Sequence, residues 1–306
     1  QDNQHTVYFN SQKYSTIPDD VSVELSVHLP AVQLDSYESA LVIGGNISAI
    51  CHELGKYHFE KIEYIALDRE LVEIYSQLVD AETCSFETII GDARAIIRSL
   101  DNKYDLIILS ADSHDLQSSN RLYSEEFFNN VNSRLKAGGI YSFSIPWQGN
   151  FLPEALSLSA KSIFDAASGK FRNCRLVFTP DVYFLCSNEE NSDIMPDYYE
   201  RKLAEMDIEN IYFNPGYLYD ILSPFRQVEF KSRIEAINIR GIENSDFKPL
   251  ASFYSMLSSE ELSGTALDAF LIKLSSRRGI VSAVVILILL IALILPSNLK
   301  MNIPSP

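Results

Sequence analysis

Four hydrophobic segments of this sequence each end in small or polar residues that could bind a ligand. Paired glycines let a ligand approach the backbone closely, and the start of the following helix offers free N–H groups. Carboxylates can accept hydrogen bonds from ribose hydroxyls or from the amino group of a purine. Together these groups favour a nucleoside-type ligand. The residues are Gly44, Gly45 and Asn46, then Asp68, then Asp92 and Ala93, and finally Ser110 with Asp112 and Asp115.

Each of the three binding positions also has a purely structural interpretation. Gly44 and Gly45 could form a tight turn between a strand and a helix, and they lack the later glycines of the dinucleotide-binding fingerprint. Asp68 and Asp92 could instead cap the helices that follow them. The binding interpretation therefore depends on the segment ends lying side by side.

Hydrophobic strands alternate with helical patterns from residue 39 onward, which predicts a parallel sheet with crossover helices. In such a sheet, ligands bind at the carboxyl ends of the strands. A closing antiparallel hairpin within 174–187 favours the methyltransferase-type variant of the Rossmann-like α/β fold. The strands are predicted at 39–45, 61–68, 86–93, 104–110 and 140–146. The helices are predicted at 47–54, at 71–78, before Leu100, at 125–135 (ended by Gly138 and Gly139), and at 154–167.

The sequence divides into four predicted regions. Residues 1–35 form an N-terminal β-hairpin region, and residues 36–190 form the Rossmann-like methyltransferase-type domain. Residues 191–276 form a mostly helical C-terminal cap that includes a β-like stretch at 210–216. Residues 279–296 form a transmembrane helix.

The membrane prediction depends on residues 280–295, in which Ser282 is the single polar residue. The run is shorter than the roughly 20 residues that a bilayer core requires, but it is apolar on every face. A buried core helix is the alternative. Arg277 and Arg278 precede the run, so the positive-inside rule predicts that the preceding domain faces the cytoplasm. We therefore expect the protein at the inner, cytoplasmic membrane.

Composition excludes some partners. The formal net charge of −16 argues against a nucleic-acid partner, because phosphate binding needs a basic surface. The same charge suits a cationic small substrate, or a surface that only keeps the protein soluble. The four cysteines are scattered, which predicts neither a metal site nor a disulfide framework and suits a reducing compartment. They are Cys51, Cys84, Cys174 and Cys186.

Several motifs together resemble the spermidine synthases, and in particular bacterial proteins that fuse such a domain to membrane helices. The most specific motif is NRLYSEEFF at 120–128; the others are LVIGGN, YIALD, GDARAIIR, YDLIIL and RLKAGGI. The resemblance implies a nucleoside co-substrate, decarboxylated S-adenosylmethionine or a related donor, and aminopropyl transfer to a polyamine. It implies no tightly bound cofactor, and it makes a homodimer one option for assembly.

The resemblance carries over only in part. The family's catalytic aspartate corresponds to Ser110, and the second acid of that loop corresponds to Ser113. The glutamate that holds the ribose in the family corresponds to Ala66. A serine hydroxyl is a poor base unless another group activates it. Asp112 and Asp115 lie nearby and could replace the missing base.

Two functional hypotheses follow from this mixture. The first is an active aminopropyltransferase, or a related transferase with an S-adenosyl donor, in which Asp112 or Asp115 acts as the base beside Ser110. The second is a catalytically inactive binding or sensor module, a pseudoenzyme tethered to membrane helices. Both hypotheses use the same nucleoside site.

Overall fold

A computed structural model describes residues 5–9, 12–17, 19–78, 84–110, 119–146, 154–179, 181–189, 194–239 and 241–261. Two short strands, β1 (His5–Phe9) and β2 (Gln12–Ile17), pair in antiparallel fashion. This pairing confirms the predicted N-terminal hairpin.

A seven-stranded sheet forms the centre of the described chain, in the order β5-β4-β3-β6-β7-β9-β8. Strand β9 runs antiparallel to both of its neighbours, and the remaining pairs are parallel. This order with one reversed strand confirms the predicted methyltransferase-type sheet. The strands are β3 (Ser39–Ile43), β4 (Lys61–Ala66), β5 (Glu87–Ile90), β6 (Tyr104–Leu109), β7 (Leu135–Pro146), β8 (Asn173–Phe178) and β9 (Asp181–Ser187).

Helices cover both faces of the sheet, which explains why its central strands are almost continuously hydrophobic. Alternate residues of β3 enter different cores: Leu41 and Ile43 lie in one hydrophobic cluster, and Ala40 and Val42 lie in the other. The helices are α1 (Asp20–Ala31), α2 (Ile47–Gly55), α3 (Arg69–Leu78), α4 (Ala93–Ser99), α5 (Glu125–Asn132), α6 (Glu154–Ser168), α7 (Pro196–Met206), α8 (Pro215–Ile221), α9 (Pro224–Ala236) and α10 (Leu250–Glu261).

The predicted end of the helix before β7 was wrong. Helix α5 ends at Asn132, and Gly138 and Gly139 lie inside β7 rather than at a helix cap. Gly139 is needed there because a Cβ atom would lie 2.8 Å from the carbonyl oxygen of Tyr104. Gly139 therefore permits close packing of two strands.

The β-like stretch at 210–216 was also predicted wrongly, because it forms a bend followed by the start of α8. Its backbone is held by the buried carboxylate of Glu24 on α1. That carboxylate accepts hydrogen bonds from the N–H groups of Ile211 at 3.0 Å, Tyr212 at 2.8 Å and Phe213 at 2.5 Å. A side chain thus supplies the acceptors that a neighbouring strand would have offered.

The prediction that the cysteines do not pair was wrong. Cys51 on α2 is bonded to Cys84, just before β5, and Cys174 on β8 is bonded to Cys186 on β9. The second pair lies in direct register across two antiparallel strands. Sequence spacing hid both pairs, because the fold brings together residues that are 33 and 12 positions apart.

We expect none of the four cysteines to be alkylated when the protein is denatured without reductant. After treatment with a dithiol reductant, the same alkylation should add four groups, one for each cysteine in the chain. Mass spectrometry of the intact protein measures both states. Four labelled thiols in the unreduced sample would show that the pairs do not form.

A buried polar network joins α1 to α2. The fully buried His28 ring bonds through Nε2 to Glu53 Oε2 at 2.8 Å, and the Tyr57 hydroxyl lies 2.5 Å from its Nδ1. Lys56 Nζ lies 2.6 Å from the same Glu53 oxygen and also donates to the carbonyl of Glu209. Burial lowers the pKa of His28 below its ordinary value of 6.5, against the opposing hydrogen bond to Glu53.

This network predicts a loss of stability in mild acid. The unfolded chain binds a proton at His28 below pH 6.5, whereas the native chain resists that proton, so the unfolding free energy falls as the pH drops from 7 to 5. Chemical denaturation at several pH values measures the slope. Replacing His28 with glutamine should flatten it, and an unchanged slope in that variant would contradict this origin.

Among the described residues, no helix is both long and apolar enough to cross a bilayer. The predicted transmembrane helix at 279–296 lies outside the described residues. It therefore stays a prediction.

Candidate nucleoside site

The turns that follow four neighbouring strands lie side by side at one edge of the sheet. Gly44 N–H donates to the carbonyl of Ile65 at 3.0 Å, and Ser110 N–H donates to that of Ile43 at 3.0 Å. Gly91 N–H likewise donates to Ala66 at 2.9 Å. We call this edge the carboxyl rim; it comprises Gly44, Gly45 and Asn46, then Leu67 and Asp68, then Gly91, Asp92 and Ala93, and Ser110.

Both the backbone conformation of this turn and its close contact with Ser110 require glycine at positions 44 and 45. Gly44 and Gly45 have φ values of +70° and +77°, which side chains other than hydrogen rarely tolerate. A Cβ atom on Gly44 would lie 2.8 Å from the carbonyl oxygen of Ser110, and one on Gly45 would overlap the Ser110 side chain. Ser110 therefore packs directly against the predicted ligand turn.

The polar groups around this turn also hold α2 in place. Asn46 caps the helix, since its side-chain oxygen accepts a hydrogen bond from Ala49 N–H at 3.4 Å. The buried hydroxyl of Tyr64 on β4 donates to the carbonyl of Gly45 at 3.0 Å. Asn46 thus has a structural role at the position where the sequence predicted ligand contact.

Asp68 lies at the end of β4, where the sequence predicted an acceptor for ribose hydroxyls. Its Oδ1 atom accepts a hydrogen bond from Glu70 N–H at 2.9 Å, which is a capping interaction at the start of α3. Leu67 beside it is 65% exposed, and Ala66 is buried and offers no side-chain acceptor. Of these three residues, only Asp68 can bind a hydroxyl through its side chain.

Asp92 is committed to two partners in the structure. Its Oδ1 atom caps α4 by accepting from Ala95 N–H at 3.1 Å, and its Oδ2 atom forms an ion pair with Arg121. The sequence predicted the capping alternative but not the ion pair. Arg121 lies in NRLYSEEFF, so the most specific motif was the available signal for it.

Next to Asp92 is an open pocket of about 380 Å³, which we call the arginine pocket. Within it, Arg94 holds Asp246 through two parallel hydrogen bonds of 2.6 Å. These bonds lower the pKa of Asp246 and raise that of Arg94. The pocket is lined by Arg94, Arg98, Asn120, Arg121 and Asp246.

The predicted catalytic residues are only partly described. Ser110 is half-buried at the rim, one residue beyond β6. Asp112 and Asp115 lie outside the described residues, as does Ser113. In the described part of the chain, no group of three His, Cys, Asp or Glu side chains could hold a metal ion.

The fold and the carboxyl rim define a methyltransferase-type α/β domain with a candidate nucleoside site. Residues 20–161 match the family model of the spermine/spermidine synthase domain. The matched region runs from α1 into α6 and includes the whole carboxyl rim.

Individual relatives match this chain over 123 to 168 residues. The chain is 31% identical to polyamine aminopropyltransferase 2 of Aquifex aeolicus over 137 residues, which are 42% of this chain and 28% of that protein. It is 30% identical to polyamine aminopropyltransferase of Korarchaeum cryptofilum over 38% of each protein. It is 26% identical to spermidine synthase 2 of Arabidopsis thaliana over 53% of this chain and 46% of that one. The chain spans less than half the length of these three relatives.

Solved structures agree on the fold. A spermidine synthase in complex with the transition-state analogue AdoDATO superimposes with a TM-score of 0.61 at 19% identity, over 75% of this chain and 80% of that one. The spermidine synthase of Thermotoga maritima superimposes with a TM-score of 0.58 at 18% identity over the same shares.

Proposed function

We propose that this chain binds an S-adenosyl-type nucleoside at the carboxyl rim and transfers the aminopropyl group of that donor to a polyamine. The observation that carries the proposal is the alignment of the Gly44, Asp68 and Asp92 turns on adjacent strands. The names of the relatives, polyamine aminopropyltransferase and spermidine synthase, support the reaction class.

The proposed reaction is a displacement at carbon. The amine nitrogen attacks the carbon next to the donor's sulfonium, so a C–N bond forms while the C–S bond breaks. The C–S electron pair returns to sulfur, which leaves as the neutral thioether of methylthioadenosine. The new ammonium then loses a proton to a base, for which we propose Asp112 or Asp115, close to Ser110 in the sequence.

The rim supplies binding and orientation in this proposal. Asp68 accepts from the ribose hydroxyls, Asp92 accepts from the amino group of the base, and the glycine turn allows close approach of the backbone. Ala93, which follows Asp92 directly, belongs to the same base-binding turn in this proposal. The net charge of −16 attracts a cationic polyamine toward the protein.

A second candidate function is non-catalytic binding of the same nucleoside, as a sensor module. The identities of two residues at the carboxyl ends of strands favour it. Ser110 stands where the family has its catalytic aspartate, and Ala66 stands where the family has its ribose-binding glutamate. Under this candidate, nucleoside thioethers stabilise the protein against heat without turnover.

The activity test uses the purified full chain with decarboxylated S-adenosylmethionine and putrescine, and detects methylthioadenosine and spermidine by mass spectrometry. Product that disappears in a variant with Asp112→Asn and Asp115→Asn supports the transferase. Thermal stabilisation by methylthioadenosine without product supports the sensor. Absence of both product and stabilisation would exclude both candidates.

We further propose that residues 279–296 tether the protein to the inner membrane. The Arg277–Arg278 pair favours a domain that faces the cytoplasm, whereas paired cysteines are typical of oxidising compartments. Protease digestion of inside-out vesicles should remove the domain if it faces the cytoplasm. Digestion only in right-side-out vesicles would contradict the cytoplasmic orientation. The family resemblance makes a homodimer one option for assembly, and light scattering of the detergent-purified chain measures the molar mass that decides it.

A further inference from the structure

The arginine opposite Asp92 occupies the acceptor that the nucleoside base would use. Asp92 has two carboxylate oxygens: Oδ1 accepts from Ala95 N–H, and Oδ2 is bound by Arg121. A base whose amino group donates to Asp92 must therefore displace Arg121, or share the carboxylate with it. The contact joins the cap of α4, which lies at the rim, to the turn before α5, and its two residues are 29 positions apart.

The arginine pocket contains a second carboxylate, that of Asp246, to which Arg121 could bind. Arg121 itself lines this open space of about 380 Å³, together with Asp246 on the opposite segment. Asp246 already holds Arg94, but a carboxylate has further acceptor sites and can bind a second guanidinium. Arg121 lies close enough to Asp246 to help lower its pKa, so the two side chains already attract each other while Arg121 is paired with Asp92.

We propose that Arg121 gates the nucleoside site by exchanging between Asp92, which closes the site, and Asp246, which opens it. This inference rests on the proposed nucleoside binding and adds a mode of regulation to it. Arg121 is a positioning residue here, because it acts on the ligand through Asp92. The ligand shifts the exchange by binding only the open arrangement.

The solvent exposure of the Asp92–Arg121 ion pair sets the expected size of the effect on ligand affinity. Asp92 is 39% exposed and Arg121 is 50% exposed on their side chains, so water and salt weaken the pair. Exposed ion pairs contribute little, which sets the expected gain in affinity on removing the gate at about two- to fivefold. The ligand 5′-methylthioadenosine is uncharged at neutral pH, so salt acts on its binding through the gate.

The experiment measures 5′-methylthioadenosine binding to the full chain by isothermal titration calorimetry. Arg121→Gln should bind about two- to fivefold more tightly than the wild type, and Arg121→Lys should return close to the wild-type affinity. Raising the salt from about 0.05 to about 0.5 M should tighten binding by the wild type and leave Arg121→Gln unchanged. Arg172→Gln is the matched control, since it removes an exposed arginine before β8, away from the rim.

The outcomes separate the gate from the binding proposal. If the wild type binds and Arg121→Gln binds equally or more weakly, the gate is wrong while the nucleoside site stands. Absence of a salt effect on binding by the wild type would also contradict the gate and leave the nucleoside site in place. If neither the wild type nor any variant binds the nucleoside, the proposed function fails first. A tighter Arg172→Gln would show that net charge, not Arg121, controls affinity.

Discussion

Replacing Asp92 with asparagine is expected to weaken 5′-methylthioadenosine binding by about 10- to 100-fold, because a charge-assisted hydrogen bond to the base is lost. The asparagine oxygen can still cap α4 through Ala95 N–H, so the helix stays in place. Its amide group then presents a donor where the base also presents a donor. Isothermal titration calorimetry measures the affinity of both proteins.

The matched control for this change is Asp101→Asn. Asp101 is exposed and lies between α4 and β6, at the opposite edge of the sheet from the rim. The control removes the same charge and should bind within about twofold of the wild type. Equal affinities of the wild type and Asp92→Asn would contradict a role for Asp92 in recognition of the base.

Replacing Glu24 with alanine should lower the free energy of unfolding by about 3–5 kcal/mol, the largest stability effect that we expect from a single substitution. Glu24 is 3% exposed and accepts three consecutive backbone N–H groups, those of Ile211, Tyr212 and Phe213. Alanine leaves these donors without their acceptor, the Phe213 N–H in a buried place and the other two in partly buried ones. Phe213 would also lose its position against the rings of His28 and Tyr199.

Urea denaturation measures this effect, and two variants calibrate it. Glu24→Gln keeps one acceptor oxygen and should cost about 1–2 kcal/mol. Glu209→Ala removes an exposed carboxylate from the same segment and should stay within about 0.5 kcal/mol of the wild type. A loss below about 1 kcal/mol in Glu24→Ala would show that the three bonds do not hold this segment.

The sheet could be predicted from the sequence because each strand and helix is indicated by the pattern of its own residues. Strands buried on both faces are hydrophobic throughout, as in β6 (Tyr104–Leu109), and the helices between them have a separate periodicity. Once the strands are parallel, their carboxyl ends must meet at one edge. Gly44 and Gly45 could therefore be assigned to the rim without coordinates, and their positive φ values agree with that assignment.

The pairings across the fold could not be predicted in the same way. Nothing near Asp92 in the sequence indicates that Arg121 binds it, and nothing near Cys51 indicates Cys84. Glu24 and its three N–H donors are 187 to 189 positions apart. Such contacts depend on how helices pack on the sheet, which a periodicity of two or 3.6 residues does not encode.

The predicted boundary between α5 and β7 was wrong for a different reason. Glycines after a helical pattern usually mark a helix cap, and Gly138 does have a positive φ of +73°. Here the helix had already ended at Asn132, and the need for close strand packing at Gly139 decided the structure. Tertiary contact thus overrode a local signal.

A crystal structure of the full chain with 5′-methylthioadenosine tests the central claim most directly. We predict electron density for the ribose beside Asp68, for the base beside Asp92, and for the thioether near the Gly44–Gly45 turn. Density for the ligand at another surface, or a rim filled by the chain's own side chains at saturating ligand, would contradict the account.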